Sequence, residues 1–247
     1  MSYCKAILSS SPVNDAVGPS ANFWLMDGSR VQDDDLRFFA AQIGASEARR
    51  FCNFSRPQRR RQFLLGRLLL RIALADLSGL PPREIEVIEK PGKPPEVVLP
   101  KQQCLAPNFS LSHSREWVAC VVSLEATLGV DIEVIDSSRD VVGISEIAFH
   151  PSEHTWLLSQ PAAERVSAFY NLWSAKEAIY KLRCNLGGEP EVLSIIGDDS
   201  AATFLSEGLH QYDLTVANLS LVVFADRRLS NIHNIRLSPL SPADWFA

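Results

Sequence analysis

Helical and strand-forming sequence alternate only once in each half of this chain, and that order limits the folds open to it. Helical spacing runs from Asp33 to Phe54, where Asp33, Asp34 and Asp35 suit the positive end of a helix dipole, and again from Arg56 to about Leu77. Ser78-Gly79-Leu80-Pro81-Pro82 ends the second stretch. Strand-like runs follow at 85–88, 97–99, 108–112, 117–123 and 128–135. The second half repeats the plan, with helical stretches at 145–158 and 162–182 and strand runs at 202–205, 212–216 and 219–225. A short strand at 22–26 precedes all of these, and residues 1–20 read as irregular. The regular strand–helix–strand alternation of a parallel sheet is missing, so the chain is predicted to be α+β. No residue-level repeat relates the halves.

Composition narrows the class. With 247 residues, 46% hydrophobic and 21% charged, the chain has the make-up of a globular protein, not a disordered or fibrous one. A net charge of -5 argues against a nucleic-acid coat, although a local basic patch can still hold a phosphorylated ligand. The most apolar stretch, Phe63 to Leu80, is interrupted by Arg67, Arg71 and Asp76, so no membrane span is expected. The first residues lack the apolar core of a signal peptide. The five cysteines are scattered and form no CxxC pair, so neither a disulfide framework nor a structural zinc site follows. The expected location is the cytoplasm, with reduced thiols.

Two segments stand out chemically. In Leu128-Gly-Val-Asp-Ile-Glu-Val134, strand alternation puts Val130, Ile132 and Val134 on one face and Asp131 and Glu133 on the other. Two carboxylates about 7 Å apart along a strand can serve one hard cation such as Mg²⁺; the plainer reading is a wet acidic face. In the helix Val166–Leu182, Val166, Phe169, Tyr170, Trp173 and Tyr180 fall on one apolar stripe at about 100° per residue, and Glu177 lies inside it with Lys176 and Lys181 at its margins. A carboxylate there needs a cation or a partner, and an internal Glu177–Lys181 pair is the simpler alternative. Ser112-His113-Ser114 at a strand end, Lys93 in a Gly92-Lys93-Pro94 turn, and the run Arg56, Arg59, Arg60, Arg61 could hold phosphate oxygens, or be a solvent-facing turn and a solvated helix face. His150-Pro-Ser-Glu-His154 fits a zinc-peptidase pattern, but Pro151 favours the first helical position and leaves His150 at the cap.

Together these motifs resemble the phosphopantetheinyl transferases of the surfactin-synthetase (Sfp) type. Gly129-Val130-Asp131-Ile132-Glu133 and Trp173-Ser174-Ala175-Lys176-Glu177-Ala178-Ile179-Tyr180-Lys181 match the family's Gly-Val/Ile-Asp-x-Glu strand and Trp-Ser-x-Lys-Glu-x-x-x-Lys helix. The likeness covers roughly residues 22 to 225; the Arg-rich stretch matches less tightly, and residues 226–247 match nothing. The resemblance implies a pseudo-twofold pair of α+β halves, 1–125 and 126–247, the second carrying the acidic strand and the Trp-Ser helix. It implies coenzyme A in the cleft between them, and transfer of its 4'-phosphopantetheine arm to a serine of an acyl carrier protein or of peptidyl or aryl carrier domains, releasing adenosine 3',5'-bisphosphate. On this reading Asp131, Glu133 and Glu177 hold Mg²⁺, while Lys176 and Lys181 neutralise the pyrophosphate. Ser112, His113, Lys93 and one or more of Arg56, Arg60 and Arg61 hold the adenosine-side phosphate. Asp131, Glu177 and Lys181 form the catalytic set, with Glu177, Glu153 or metal-bound water as the base. A monomer is expected. The alternatives are a non-catalytic module binding coenzyme A or a carrier protein, and the zinc peptidase.

Overall fold

The computed structural model describes residues 18–100, 107–188, 194–196 and 208–237. Glycine and proline divide two of the expected helices. The stretch from Asp33 to Phe54 forms α1 (Asp33–Ala40) and α2 (Ala45–Asn53), because Gly44 starts a new helix by donating its N–H to the Glu47 carboxylate at 2.9 Å. Next comes α3 (Pro57–Ser78), opened by Pro57 and closed by Gly79 at φ 72°. The stretch from Ser145 to Leu158 forms α4 (Val141–Ala148) and α5 (Pro151–Ser159); Pro151 cannot continue a helix but can begin one. The last described helix is α6 (Arg165–Asn185).

The strands are β1 (Ser20–Asp27), β2 (Glu86–Ile88), β3 (Glu96–Val98), β4 (Asn108–Ser114), β5 (Trp117–Ser123), β6 (Leu128–Val134), β7 (His210–Asp213), β8 (Leu219–Ala225) and β9 (Asn231–Leu237). One sheet has the order β4–β5–β1–β9, another β6–β8–β7, and β2–β3 is a separate hairpin. The strand expected at 202–205 lies outside the described residues. Residues 226–247 carried no signal, yet β9 pairs in parallel with β1 along Ser20–Met26. The chain thus passes from the first sheet to the second between β5 and β6, and its last described strand returns to the first.

Alternation along the strands stacks the layers. Trp24, Met26, Val118, Cys120 and Val122 pack against the α3 side, while Ala21, Phe23, Leu25, Ala119 and Val121 meet Val130, Ile132, Leu221 and Val223 of the second sheet. On the far face, Val222 and Phe224 meet Phe169 and Leu182 of α6. The result is a helix–sheet–sheet–helix sandwich with one long helix on each outer face, the pseudo-twofold α+β architecture expected. Gly129 lets α6 come that close: a Cβ there would lie 2.0 Å from the Ala178 carbonyl and 2.6 Å from the Leu182 nitrogen. No described helix is long and apolar enough to cross a membrane.

Candidate functional site

The two sheets meet along β4 and β6, and serine hydroxyls join them. Ser110 Oγ accepts from Val130 N and Ser114 Oγ from Val134 N, each at 3.0 Å. Between them Ser112 Oγ donates to Asp131 Oδ1 at 2.7 Å, and Ser114 Oγ donates to Glu133 Oε2 at 2.7 Å. The Ser-x-Ser-x-Ser spacing of β4 presents all three hydroxyls on one face by period-two alternation. The acidic face of β6 therefore opens into the cleft beside this seam rather than into free solvent.

Residues from α6 complete the acidic corner. Lys181 Nζ donates to Asp131 Oδ1 (2.7 Å), Ser112 Oγ (2.9 Å) and the Val130 carbonyl (3.0 Å), using its three protons. Glu177 is half-buried on the same wall, and among the described residues Lys181 pairs with Asp131 and not with Glu177, contrary to the simpler alternative. The predicted aromatic stripe is only partly the buried one: Phe169 and Tyr170 are buried, but Trp173 is half-buried and Tyr180 is 47% exposed. The inner face of α6 runs instead through Leu172, Ala175, Ala178, Ile179 and Leu182, because small residues let the helix settle against Gly129. This rotation brings Trp173, Glu177 and Lys181 to the cleft.

The electrostatics of the corner are those of an incomplete site. Loss of hydration, followed by the charge of Asp131, raises the Glu177 carboxyl above its ordinary value. Loss of hydration also raises Glu133, against the Ser114 hydrogen bond. Asp131 Oδ2 is buried and makes no hydrogen bond among the described residues. An orphaned carboxylate oxygen beside two under-solvated carboxyls suits a hard divalent cation, which takes oxygen ligands and keeps several waters. Among the described residues no three acidic, His or Cys side chains stand in a complete liganding arrangement.

Two chambers of about 890 Å³ each adjoin at this corner. One contains Asp131, Glu133, Trp173 and Glu177 with Arg56, Arg59 and His113. The other is walled by Arg49, Lys90, Lys93, Tyr180 and Asn185. Arg50, Arg67, Leu111 and Lys181 line both. His113 keeps part of its surface in solvent; the hydration it loses on the chamber wall, then Arg59 and Lys181, holds its imidazole below the ordinary range, while its own backbone hydrogen bond and Asp131 oppose this.

Several sequence-predicted residues lie elsewhere. Lys176 Nζ is bidentate to Glu153 (3.0 and 2.8 Å), which is fully buried and also accepts from His150 N and Ile195 N. Glu153 is thereby removed as a candidate base, and Lys176 is directed away from both chambers. His150 caps α5 as expected, and His154 Nδ1 meets Ser145 Oγ at 2.9 Å, so the His-x-x-Glu-His segment is structural. Arg61 binds Asp33 at 2.5 Å and the Gly28 carbonyl at 2.8 Å, outside the cleft. Arg60 donates to the Phe54 carbonyl at 2.6 Å and lines neither chamber. From Arg59, each further residue turns about 100° around α3, carrying Arg60 and Arg61 off the cleft face. Sequence reasoning missed Arg49, Arg50, Arg59 as a cleft residue, Arg67, Tyr180 and Asn185. Of these, Arg67 was signalled as a charge interrupting an apolar helix, Arg59 as part of the basic run and Tyr180 as part of the aromatic stripe; Arg49, Arg50 and Asn185 carried no signal.

Comparison with known proteins fits this geometry. A family model described as "4'-phosphopantetheinyl transferase superfamily" matches residues 127–223, and one described as "4'-phosphopantetheinyl transferase, N-terminal" matches 30–125. The chain is 32% identical over 167 residues to 4'-phosphopantetheinyl transferase AcpT of Salmonella typhimurium, covering 67% of this chain and 76% of that one. It is 36% identical over 154 residues to 4'-phosphopantetheinyl transferase psf-1 of Bacillus pumilus, covering 62% of each. With 4'-phosphopantetheinyl transferase HetI of Nostoc sp. it shares 29% over 150 residues, 60% of this chain and 62% of that one. The chain thus spans somewhat under two thirds of the length of psf-1 and of HetI.

Proposed function

The chain belongs to the 4'-phosphopantetheinyl transferase superfamily, and from that premise we propose that it transfers the phosphopantetheine arm of coenzyme A to a serine hydroxyl of a carrier protein. The observation that carries this reading is the corner where Asp131, Glu133 and Glu177 face one cleft beside Lys181, with Asp131 Oδ2 unpaired. A module that only bound coenzyme A would have no use for two under-solvated carboxyls beside the unpaired oxygen of a third. Asp131, Glu133 and Glu177 would hold Mg²⁺, which stabilises negative charge developing on a pyrophosphate.

The chain's own residues do the rest. Lys181 holds Asp131 in place and brings a positive charge to the junction of the chambers. Arg56 and Arg59 on one side, and Lys93 with Arg49 and Lys90 on the other, supply charge for the phosphates of coenzyme A, with the His113 imidazole beside the first pair as a hydrogen-bonding group. Glu177, with its raised pKa and no hydrogen-bond partner among the described residues, is suited to accept the proton of the carrier serine. Trp173 packs on Phe149 and Phe169, with ring centroids 6.1 and 5.8 Å away, and fixes the start of this segment.

The test is incubation of apo carrier proteins with coenzyme A and Mg²⁺, read by intact-protein mass. The expected result is a carrier heavier by one phosphopantetheine and the appearance of adenosine 3',5'-bisphosphate. Binding of coenzyme A with no gain of mass across acyl, peptidyl and aryl carriers would reduce the protein to a binding module.

A further inference from the structure

Beneath the cleft, charged side chains form a ladder, buried except for the half-exposed Arg50. Arg71 gives both terminal nitrogens to Glu47, at 2.9 and 2.6 Å. Arg67 Nε donates to Glu89 Oε1 and Arg50 Nη1 to Glu89 Oε2, each at 2.5 Å. Arg67 also stands 3.9 Å from Glu47, linking the two groups. The side chain of Glu89 is only 5% exposed, and that of Arg67 8%. Three guanidiniums against two carboxylates leave one positive charge in excess. Glu47 and Arg71 line neither chamber, whereas Arg50 and Arg67 line both.

Glu89 also stands at the root of the basic turn. It follows the end of β2, its N–H donates to Ser46 Oγ at 3.2 Å, and Lys90–Pro95 beyond it walls the second chamber. By charge alone, a carboxylate at an anion-binding cleft is unfavourable. Its contribution has to be geometric, because a long guanidinium side chain recognises phosphate only when its fork is already aimed. We infer that Glu89 is a positioning residue: it aims Arg50 and Arg67, and anchors the Lys90–Pro95 turn, so that the polyphosphate of the cosubstrate is held across the junction of the chambers. This rests on the transferase reading for the identity of the ligand only.

The sign of one substitution tests it. Glu89→Gln keeps the shape and removes the charge. If Glu89 merely offset the arginines, its loss would leave the cleft more positive, and inorganic pyrophosphate and coenzyme A would bind more tightly. Positioning requires the opposite: both bind about tenfold more weakly, the scale of one lost charge-assisted hydrogen bond. The KM for coenzyme A rises in step, while kcat at saturation stays within about threefold, as for an interaction equal in ground and transition states. Glu89→Asp keeps the charge but shortens the reach; it preserves the ladder's charge balance should the Gln variant fail to fold, and is expected to weaken binding in the same direction. Tighter or unchanged calorimetric binding of pyrophosphate by either folded variant overturns the proposal, as does a wild-type protein that binds neither anion. Glu89-dependent pyrophosphate binding in a protein that modifies no carrier supports positioning and overturns the transferase reading alone.

Discussion

Two side chains of the cleft make separable demands on experiment. Glu177→Gln keeps size and one oxygen but cannot accept a proton, so turnover of a carrier protein is expected to fall by about 10²–10⁴-fold. Because lost hydration and Asp131 already disfavour the Glu177 carboxylate, the variant should melt no lower than wild type and still bind coenzyme A. A single-turnover assay beside a thermal melt checks both, and retention of more than about a tenth of the rate would rule Glu177 out as the proton acceptor. His113 bears on pH. Its folded value is depressed, so on acidification the unfolded chain takes up the proton first and stability falls as pH drops below about 6.5. In His113→Gln that part of the decline should vanish, which denaturant titrations at pH 7.5 and 5.5 would reveal. The carboxylate corner was legible because strand alternation and helical phase are local properties. The arginines were legible only as a run, since a run has no phase until Pro57 starts the helix and aims Arg56 and Arg59 at the cleft. The partners of Ser112 and Lys176 depend on how distant segments meet, which no local pattern records.

Where β6 meets α6, backbone lies against backbone. Gly129→Ala would drive a methyl into the Ala178 carbonyl, and neither the strand nor the helix can yield without moving Glu177 and Lys181. Overpacking of this kind costs about 1–3 kcal/mol. The variant should therefore melt several degrees lower and lose activity together, whereas an equally destabilising change remote from the cleft would leave the specific activity of the folded fraction intact. The strands β5 and β8 match their sequence-predicted bounds, because each is a long apolar run between polar turns. The division at Pro151 was legible through its preference for the first helical position, with His150 at the cap, whereas Gly44 gave no sign of a break, since apolar spacing continues through it. The strand β9 was invisible: Asn231-Ile-His-Asn-Ile-Arg-Leu237 has no regular alternation, and its place is set by the open edge of β1.

That last strand binds the whole molecule together. The first sheet contains residues from both ends of the described chain, so a cut between residues 125 and 126 leaves the N-terminal fragment with an uncovered β1 edge and the C-terminal fragment with an unpaired β9. Each fragment produced alone should be insoluble or poorly folded, while co-production should recover a soluble pair; a stable, monomeric fragment 126–247 would contradict this. Between the sheets the situation differs, because there the halves meet through apolar side chains such as Phe23, Val121, Val130 and Ile132 and, along β4 and β6, through the hydroxyls of Ser110, Ser112 and Ser114 instead of a peptide ladder. A peptide ladder has one spacing, fixed by the main chain that every residue shares. A row of side chains has as many spacings as there are residues to choose from. Exchange of one tooth for a threonine or an alanine would alter the seam at that one step while leaving the apolar interior beside it untouched. In such a joint, descent can adjust the bore of the cleft, and hence the girth of what enters it, without having to reinvent the protein on either side.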